Sequence, residues 1–203
     1  MTNAEKNIRA FLAIEPPEDI LQAMSSLQEK LKRAVSGKIS WTKPEGRHLT
    51  LKFFGDISME DVDKISTAVQ KRVASGLSLN LNVEKLGVFP DARKPRILWC
   101  GMAGDVAQLS ALQKQLDIDF EALGFPKEDR PFRAHLTLAR IKDPRGVSGL
   151  GEALAKHSAF AAGEFVCREL VLFQSRLTPQ GAIYTKLAAF PTTQGTQGTG
   201  GTG

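Results

Sequence analysis

The chain has 203 residues, 42% hydrophobic and 24% charged, a balance that fits a folded globule and excludes wholesale disorder. At about 150 residues per domain, this length holds one domain or two small lobes. Lys and Arg outnumber Asp and Glu by 27 to 22, and the net charge of +5 suits a polyanionic partner such as nucleic acid without demanding one.

The first residues, Met1 to Lys6, offer no apolar segment of signal-peptide type. Nowhere do about 18 apolar residues run together, so no membrane partner is expected. Ala10–Ile14 reads as a strand. After Pro16-Pro17, Ile20, Met24, Leu27, Leu31 and Val35 recur at helical spacing. Leu49–Phe54 reads as a second strand, opened by His48. Ser58 to Asp61 has the form of a capping box, and Val62, Ile65, Val69 and Val73 follow as a helix. Leu77, Leu79, Leu81 and Val83 alternate with polar residues, a strand period. Ile97–Met102 is another strand. Leu109, Leu112, Leu116, Phe120 and Leu123 mark a third helix, which Gly124 stops. His135 opens a strand over Leu136–Ile141, and Val147, Leu150 and Leu154 suggest a weaker fourth helix. Leu170–Phe173 and Ile183–Leu187 complete the strands. Strict βαβ alternation is absent, which favours an α+β fold with antiparallel pairing. From Thr192 to Gly203 only Thr, Gln and Gly occur. No apolar group there offsets the cost of ordering, so a single domain over 1–191 and a disordered tail over 192–203 are expected.

Cys100 and Cys167 cannot form a disulfide framework, and no Cys/His cluster has zinc spacing. Two buried thiols in a reducing cytoplasm are expected.

The tetrapeptide His-Leu-Thr-Leu occurs twice, at His48–Leu51 and His135–Leu138, although the chain has only 3 histidines. On a strand, residues i and i+2 share a face. His48 and Thr50 therefore face one way, as do His135 and Thr137, while the leucines anchor in a core. On this parity Leu49, Leu51 and Phe53 lie on the apolar face. Facing each other across a cleft, two imidazoles can serve as acid and base near neutral pH. Two hydroxyls can bond phosphoryl oxygens where charge builds up. No further His, Asp or Glu recurs at ligand spacing, so neither metal nor other cofactor is implied. The constellation points to phosphoester chemistry.

The twin His-x-Thr-x motifs resemble those of the 2H phosphoesterase superfamily, and the flanking segments resemble its RNA 2′,3′-cyclic phosphodiesterase (2′-5′ RNA ligase-like) branch. Those segments are Arg9–Ile14, Trp41 with His48–Gly55, Gly87–Phe89 with Pro95–Trp99, Arg130–Phe132 through Arg140, and Ser175, Gly181 and Tyr184. The resemblance spans Arg9 to about Phe190. It implies a bilobal α+β fold: two antiparallel sheets backed by helices, with the motif strands lining a central cleft. It implies hydrolysis of a terminal RNA 2′,3′-cyclic phosphate to a 2′-phosphate, with His48 as proton donor to the departing 3′ oxygen and His135 as the base. The two identical tetrapeptides do not by themselves order these roles. The resemblance also makes Arg140 a phosphate or nucleotide contact, beside Thr50 and Thr137, whose hydroxyls the strand reading gives to the phosphoryl oxygens.

An offset of five from His135 puts Arg140 on the opposite face unless the strand bulges. Lys52 and Arg133 share the His/Thr faces by parity and could steer RNA. Phe11 is a candidate for base stacking. Arg93, Lys94 and Arg96 form a basic cluster, either a solvated loop or an RNA track. His157 lacks a Thr at +2 and reads as structural. RNA ends or nucleotides bearing a cyclic phosphate are the expected partners of a monomer. Arg47-His48 resembles the Arg-His-Gly of histidine phosphatases, but Leu49 stands where glycine is needed. Two alternatives stay open: 2′-5′ ligation in the same site, and a non-enzymatic RNA-binding module. The low aromatic content and lack of RRM or KH signatures tell against the module.

Overall fold

The computed structural model describes residues 7–179 and 181–192. The alternating apolar segments bury one face of each strand and pair throughout as antiparallel neighbours. Strands β1 (Ile8–Ile14), β3 (Leu49–Ile57), β8 (Glu169–Thr178) and β9 (Gly181–Pro191) form one sheet in the order β3-β1-β8-β9. Strands β2 (Ile39–Trp41), β4 (Asn80–Phe89), β5 (Ile97–Gly104), β6 (His135–Ile141) and β7 (Ala161–Val166) form the other, in the order β2-β6-β5-β4-β7. The α+β expectation of two antiparallel sheets with helices holds.

The helices are α1 (Glu18–Ala34), α2 (Met59–Val73), α3 (Val106–Ala122) and α4 (Leu150–Lys156). Helix α1 turns Ile20, Met24, Leu27 and Leu31 inward, with Glu18 and Asp19 in its first turn and Lys32 and Arg33 in its last, as the helix dipole favours. Ser58 and Asp61 close a capping box on α2. Helix α4 begins at Leu150, three residues beyond the Val147 at which its pattern starts. Gly149 precedes it at φ +76°, where an added Cβ would stand 2.1 Å from Ala34 O. Only glycine lets the start of α4 meet the end of α1 so closely.

The chain runs twice through the same sequence of elements: β1-α1, then β3-α2, and later β5-α3, then β6-α4. In both passes the helix that follows the first strand leaves its own sheet. Helix α1 follows β1 but packs on β7 and α4; α3 follows β5 but packs on β3 and α2. One apolar core, from Leu12 and Leu49 to Leu136 and Leu172, joins both halves.

Two short strands, β2 and β7, have no counterpart among the sequence expectations. Leu77 and Leu79 lie just ahead of β4, though Leu79, Leu81 and Val83 are buried as their alternation requires. Composition starts the disordered tail at Thr192, but Thr192 is fully buried. Its hydroxyl donates to Cys167 O (2.7 Å), its N–H to Arg168 O (2.9 Å), and its carbonyl accepts from Leu77 N. Main-chain pairing holds this residue, which is why composition misses it. The rest of the expected tail, 193–203, lies outside the described residues.

Candidate active site

The ends of β3 and β6 face each other across a cleft of about 710 Å³. His48, Thr50, His135, Thr137 and Arg140 all line it. Both motif strands carry the same irregularity. Against β1, Thr50 pairs with Ala13 but Lys52 pairs with Leu12, so Leu51 is an extra residue. Against β5, Thr137 pairs with Trp99 but Ala139 pairs with Leu98, so Leu138 is extra. Each is a β-bulge at the second leucine of the motif, and each reverses the facing of the residues just after it; in β3 a second shift, at Phe54, reverses it back.

The bulges decide three expectations. Arg140 turns into the cleft, despite its odd offset from His135. Phe53, placed by parity on the apolar face, is instead 54% exposed in the cleft. Lys52, placed by parity beside Thr50, is instead buried in the core. Its ammonium meets Asp117 Oδ1 at 2.6 Å and Pro126 O at 2.5 Å, so it steers no RNA. Arg133 also leaves the cleft: its guanidinium lies over the Phe89 ring, 5.6 Å from the centroid.

The two histidines sit in unlike surroundings. His48 is enclosed by Phe173 (4.6 Å between ring centres), Tyr184 (5.0 Å) and Phe11 (5.5 Å). Burial in this cage pushes its pKa down to about 4; Glu15 opposes that and Lys186 adds to it. Phe11 is only 3% exposed and stacks on Phe173, so it is a wall of the His48 cage and has little face left for a base. His135 Nδ1 lies 2.7 Å from Arg133 O. A carbonyl only accepts, so Nδ1 carries the proton and a neutral ring keeps its lone pair on Nε2. The ring stands edge-on to Phe89 at 5.1 Å. Burial also lowers the His135 pKa; the Arg133 carbonyl opposes this and the nearby Arg140 charge adds to it.

Tyr184, Trp41, Ser175 and the exposed Leu177 join the lining and were absent from the sequence candidates for the site. Tyr184 alternates with the cleft-lining Ala182 along β9, a period-two signal that could have pointed to it. The basic cluster is partly a turn: Asp91 Oδ1 accepts from the N–H groups of Arg93 and Lys94. Arg96, by contrast, donates from Nη1 to Lys142 O (2.9 Å), and Lys142 N donates to Lys38 O (2.8 Å). The main chains of Lys38 and Lys142 thus meet beside Arg96, just before β2 and β5 and just after β6. His157 caps α4 through its main chain and stands apart from the cleft.

Among the described residues, no group of three or more His, Cys, Asp or Glu side chains is placed to hold a metal. No helix there is long and apolar enough to cross a membrane. Both cysteine thiols are free, buried and pushed up to about 12 by desolvation, so neither is a nucleophile.

Comparison with known proteins adds an independent view. A family model described as LigT-like phosphoesterase matches residues 14–99 and 102–184. A protein of Methanothermobacter thermautotrophicus named RNA 2′,3′-cyclic phosphodiesterase is 33% identical over 183 residues, covering 90% of this chain and 98% of that protein. One of the same name from Archaeoglobus fulgidus is 30% identical over 183 residues, covering 90% and 99%. Among solved structures, TT0787 of Thermus thermophilus superposes with a TM-score of 0.75 at 24% identity, over 91% of this chain and 98% of that one. E. coli LigT complexed with 3′-AMP gives 0.71 at 22% identity, over 93% and 100%. At these identities the two structures speak for the fold alone.

Proposed function

The chain belongs to the LigT-like phosphoesterase family, and from that premise we propose that its cleft hydrolyses a terminal RNA 2′,3′-cyclic phosphate to a 2′-phosphate. The observation that carries this reading is the pair of His-x-Thr strands, bulged alike, that bring two histidines, two threonines and Arg140 to one cleft.

Each residue then has a part. His135, its Nδ1–H tied to Arg133 O, presents Nε2 as the base that takes a proton from water. The water oxygen bonds to phosphorus as the P–O3′ bond breaks. Protonated His48 gives its proton to the departing 3′ oxygen, so the phosphate stays on the 2′ position. Thr50, Thr137 and Arg140 hold the phosphoryl oxygens as charge grows on them. The histidines then exchange protons with solvent and the site is reset. Phosphoryl chemistry here rests on side chains alone, and turnover should persist in excess EDTA.

The basic strand ends fit an RNA chain better than a free nucleotide. Arg96 directly precedes the cleft-lining Ile97, so that with Lys38 and Lys142 it would meet the backbone preceding the terminal phosphate. Free buried thiols suit a cytoplasmic location.

The test is to hydrolyse an oligonucleotide ending in a 2′,3′-cyclic phosphate and separate the product isomers. A 2′-phosphate is expected, and His48→Ala and His135→Ala should each lower turnover by about two to four orders of magnitude. A 3′-phosphate product would reverse the placement of the leaving oxygen. Near-normal turnover by either variant would remove the acid–base pair.

A further inference from the structure

The bulges at Leu51 and Leu138 raise a question of main-chain accounting. A bulge leaves its extra residue out of the ladder. Leu51 is 3% exposed and Leu138 0%, so their carbonyls sit where water does not reach freely. A buried carbonyl without a donor is costly. In both strands a side-chain donor comes from the helix that crosses from the other sheet, and at Leu138 O it joins the Thr42 N–H, which donates at 2.9 Å. Gln28 of α1 donates from Nε2 to Leu138 O at 3.0 Å and to Thr42 O at 2.8 Å. Gln113 of α3 donates from Nε2 to Leu51 O at 3.4 Å. Both glutamines are themselves buried, at 4% and 8% exposure. They are spaced almost as far apart in sequence as the two histidines, so the same device occurs in each half.

We propose that Gln28 and Gln113 are positioning residues, which hold the two bulges and thereby aim Arg140 and Phe53 into the cleft. Strand parity carries the consequence. Without its bulge, β6 would turn Arg140 toward the core and Ala139 toward the cleft; β3 would do the same with Phe53 and Lys52. Each buried amide thus acts on the cleft through the residue two places beyond the carbonyl it bonds. Gln28 serves the cationic contact to phosphate. Gln113 serves the exposed ring, and the same face of α3 carries Asp117, which receives Lys52 on the core side of the bulge. The proposal rests on the reading of the cleft as a phosphodiesterase site, and its test separates the two.

The experiment is a crossed set of double variants. Gln28→Met and Gln113→Met keep the side-chain volume and remove the donor. Each is made in the wild type, in Arg140→Ala and in Phe53→Ala. Two quantities are read: kcat/KM on the cyclic-phosphate oligonucleotide, and affinity for inorganic phosphate by calorimetry, which needs no turnover. Gln28→Met is expected to lower both by about tenfold, less than the roughly hundredfold that a full 1 Å misplacement can cost. That loss should vanish with Arg140→Ala and persist with Phe53→Ala. Gln113→Met should show the mirror pattern in kcat/KM and leave phosphate affinity unmoved. A Gln28→Met loss of full size in the Arg140→Ala background would overturn the proposal, as would a folded Gln28→Met protein with wild-type values. If the wild type fails to turn over the oligonucleotide, the phosphodiesterase reading falls, while phosphate affinity still decides whether Gln28 acts through Arg140. Should a Met variant not fold, the Glu variant replaces it. Its carboxyl donates only while protonated, so the same loss then appears as pH rises, and again only with the partner residue in place.

Discussion

Occupancy of the cleft by a cyclic phosphate should shift the working pH of the two histidines upward. In the free protein the aromatic cage holds His48 at about 4, and burial lowers His135 as well. At pH 7 a group with a pKa of about 4 is protonated in roughly one molecule in a thousand. The free enzyme is therefore nearly devoid of its acid at neutral pH. A cyclic phosphodiester brings one negative charge. At about 4 Å and an effective dielectric constant of about 20, that charge favours an imidazolium by about 4 kcal/mol. At about 1.36 kcal/mol per unit, His48 rises by about three units, to about 7. An anion stabilises the charged ring, so the shift is upward for both histidines. The kcat/KM profile reports the free enzyme and should be a bell centred below about 6.5. The kcat profile reports the complex and should be a bell at higher pH. The assay is steady-state hydrolysis of a cyclic-phosphate oligonucleotide between about pH 4.5 and 9 at constant ionic strength, with the two constants extracted separately. NMR titration of the His48 ring with and without inorganic phosphate gives an independent reading. A kcat optimum at or below that of kcat/KM would refute the reasoning, and so would a ring pKa that phosphate leaves in place.

Three further outcomes follow from other parts of the molecule. Ending the chain after Thr192 should leave the melting temperature unchanged. Ending it after Pro191 removes the bonds to Leu77, Cys167 and Arg168 and should lower it by several degrees, which differential scanning calorimetry would resolve. Asp117→Ala strands the buried Lys52 ammonium and should cost about 3–5 kcal/mol in urea unfolding, much of it regained when Lys52→Met is added; a cost below about 1 kcal/mol would show that Pro126 O suffices. Reversing the charge of Lys38, Arg96 and Lys142 together should flatten the salt dependence of kcat/KM by about two logarithmic units per logarithm of salt for an oligonucleotide. A nucleoside 2′,3′-cyclic phosphate should show no such change, and equal effects on both substrates would take these cations off the RNA path.

Much of this arrangement is legible in one dimension. The apolar periods of α1, α2 and α3 survive folding because each helix has a single face to bury. The His-x-Thr pairs share a face because only one residue separates them, and the bulges fall after it. Beyond the second leucine, parity fails. A bulge depends on what pairs alongside and what bonds the extra carbonyl, and both lie far off in sequence. Lys52, Phe53 and Arg140 are the residues that this changes. Phe11 is a different case, since its strand is read correctly but His48 and Phe173 close over its ring. Strands β2 and β7 escape notice because Ile39-Ser40-Trp41 is short and Ala161–Val166 carries few large apolar residues.

The reciprocal crossing of α1 and α3 bears on how the enzyme can move. A hinge between two lobes needs each lobe to keep its own cover while the other swings. Here α1 is anchored at one end to β1 of the four-stranded sheet and lies on β7 of the five-stranded one, and α3 does the converse. Swinging the sheets apart would peel an apolar helix face from its seat on both sides at once. Opening the cleft by a hinge would therefore cost apolar burial on both sides, and small adjustments at the cleft-lining side chains and the turns at its rim come at a lower cost.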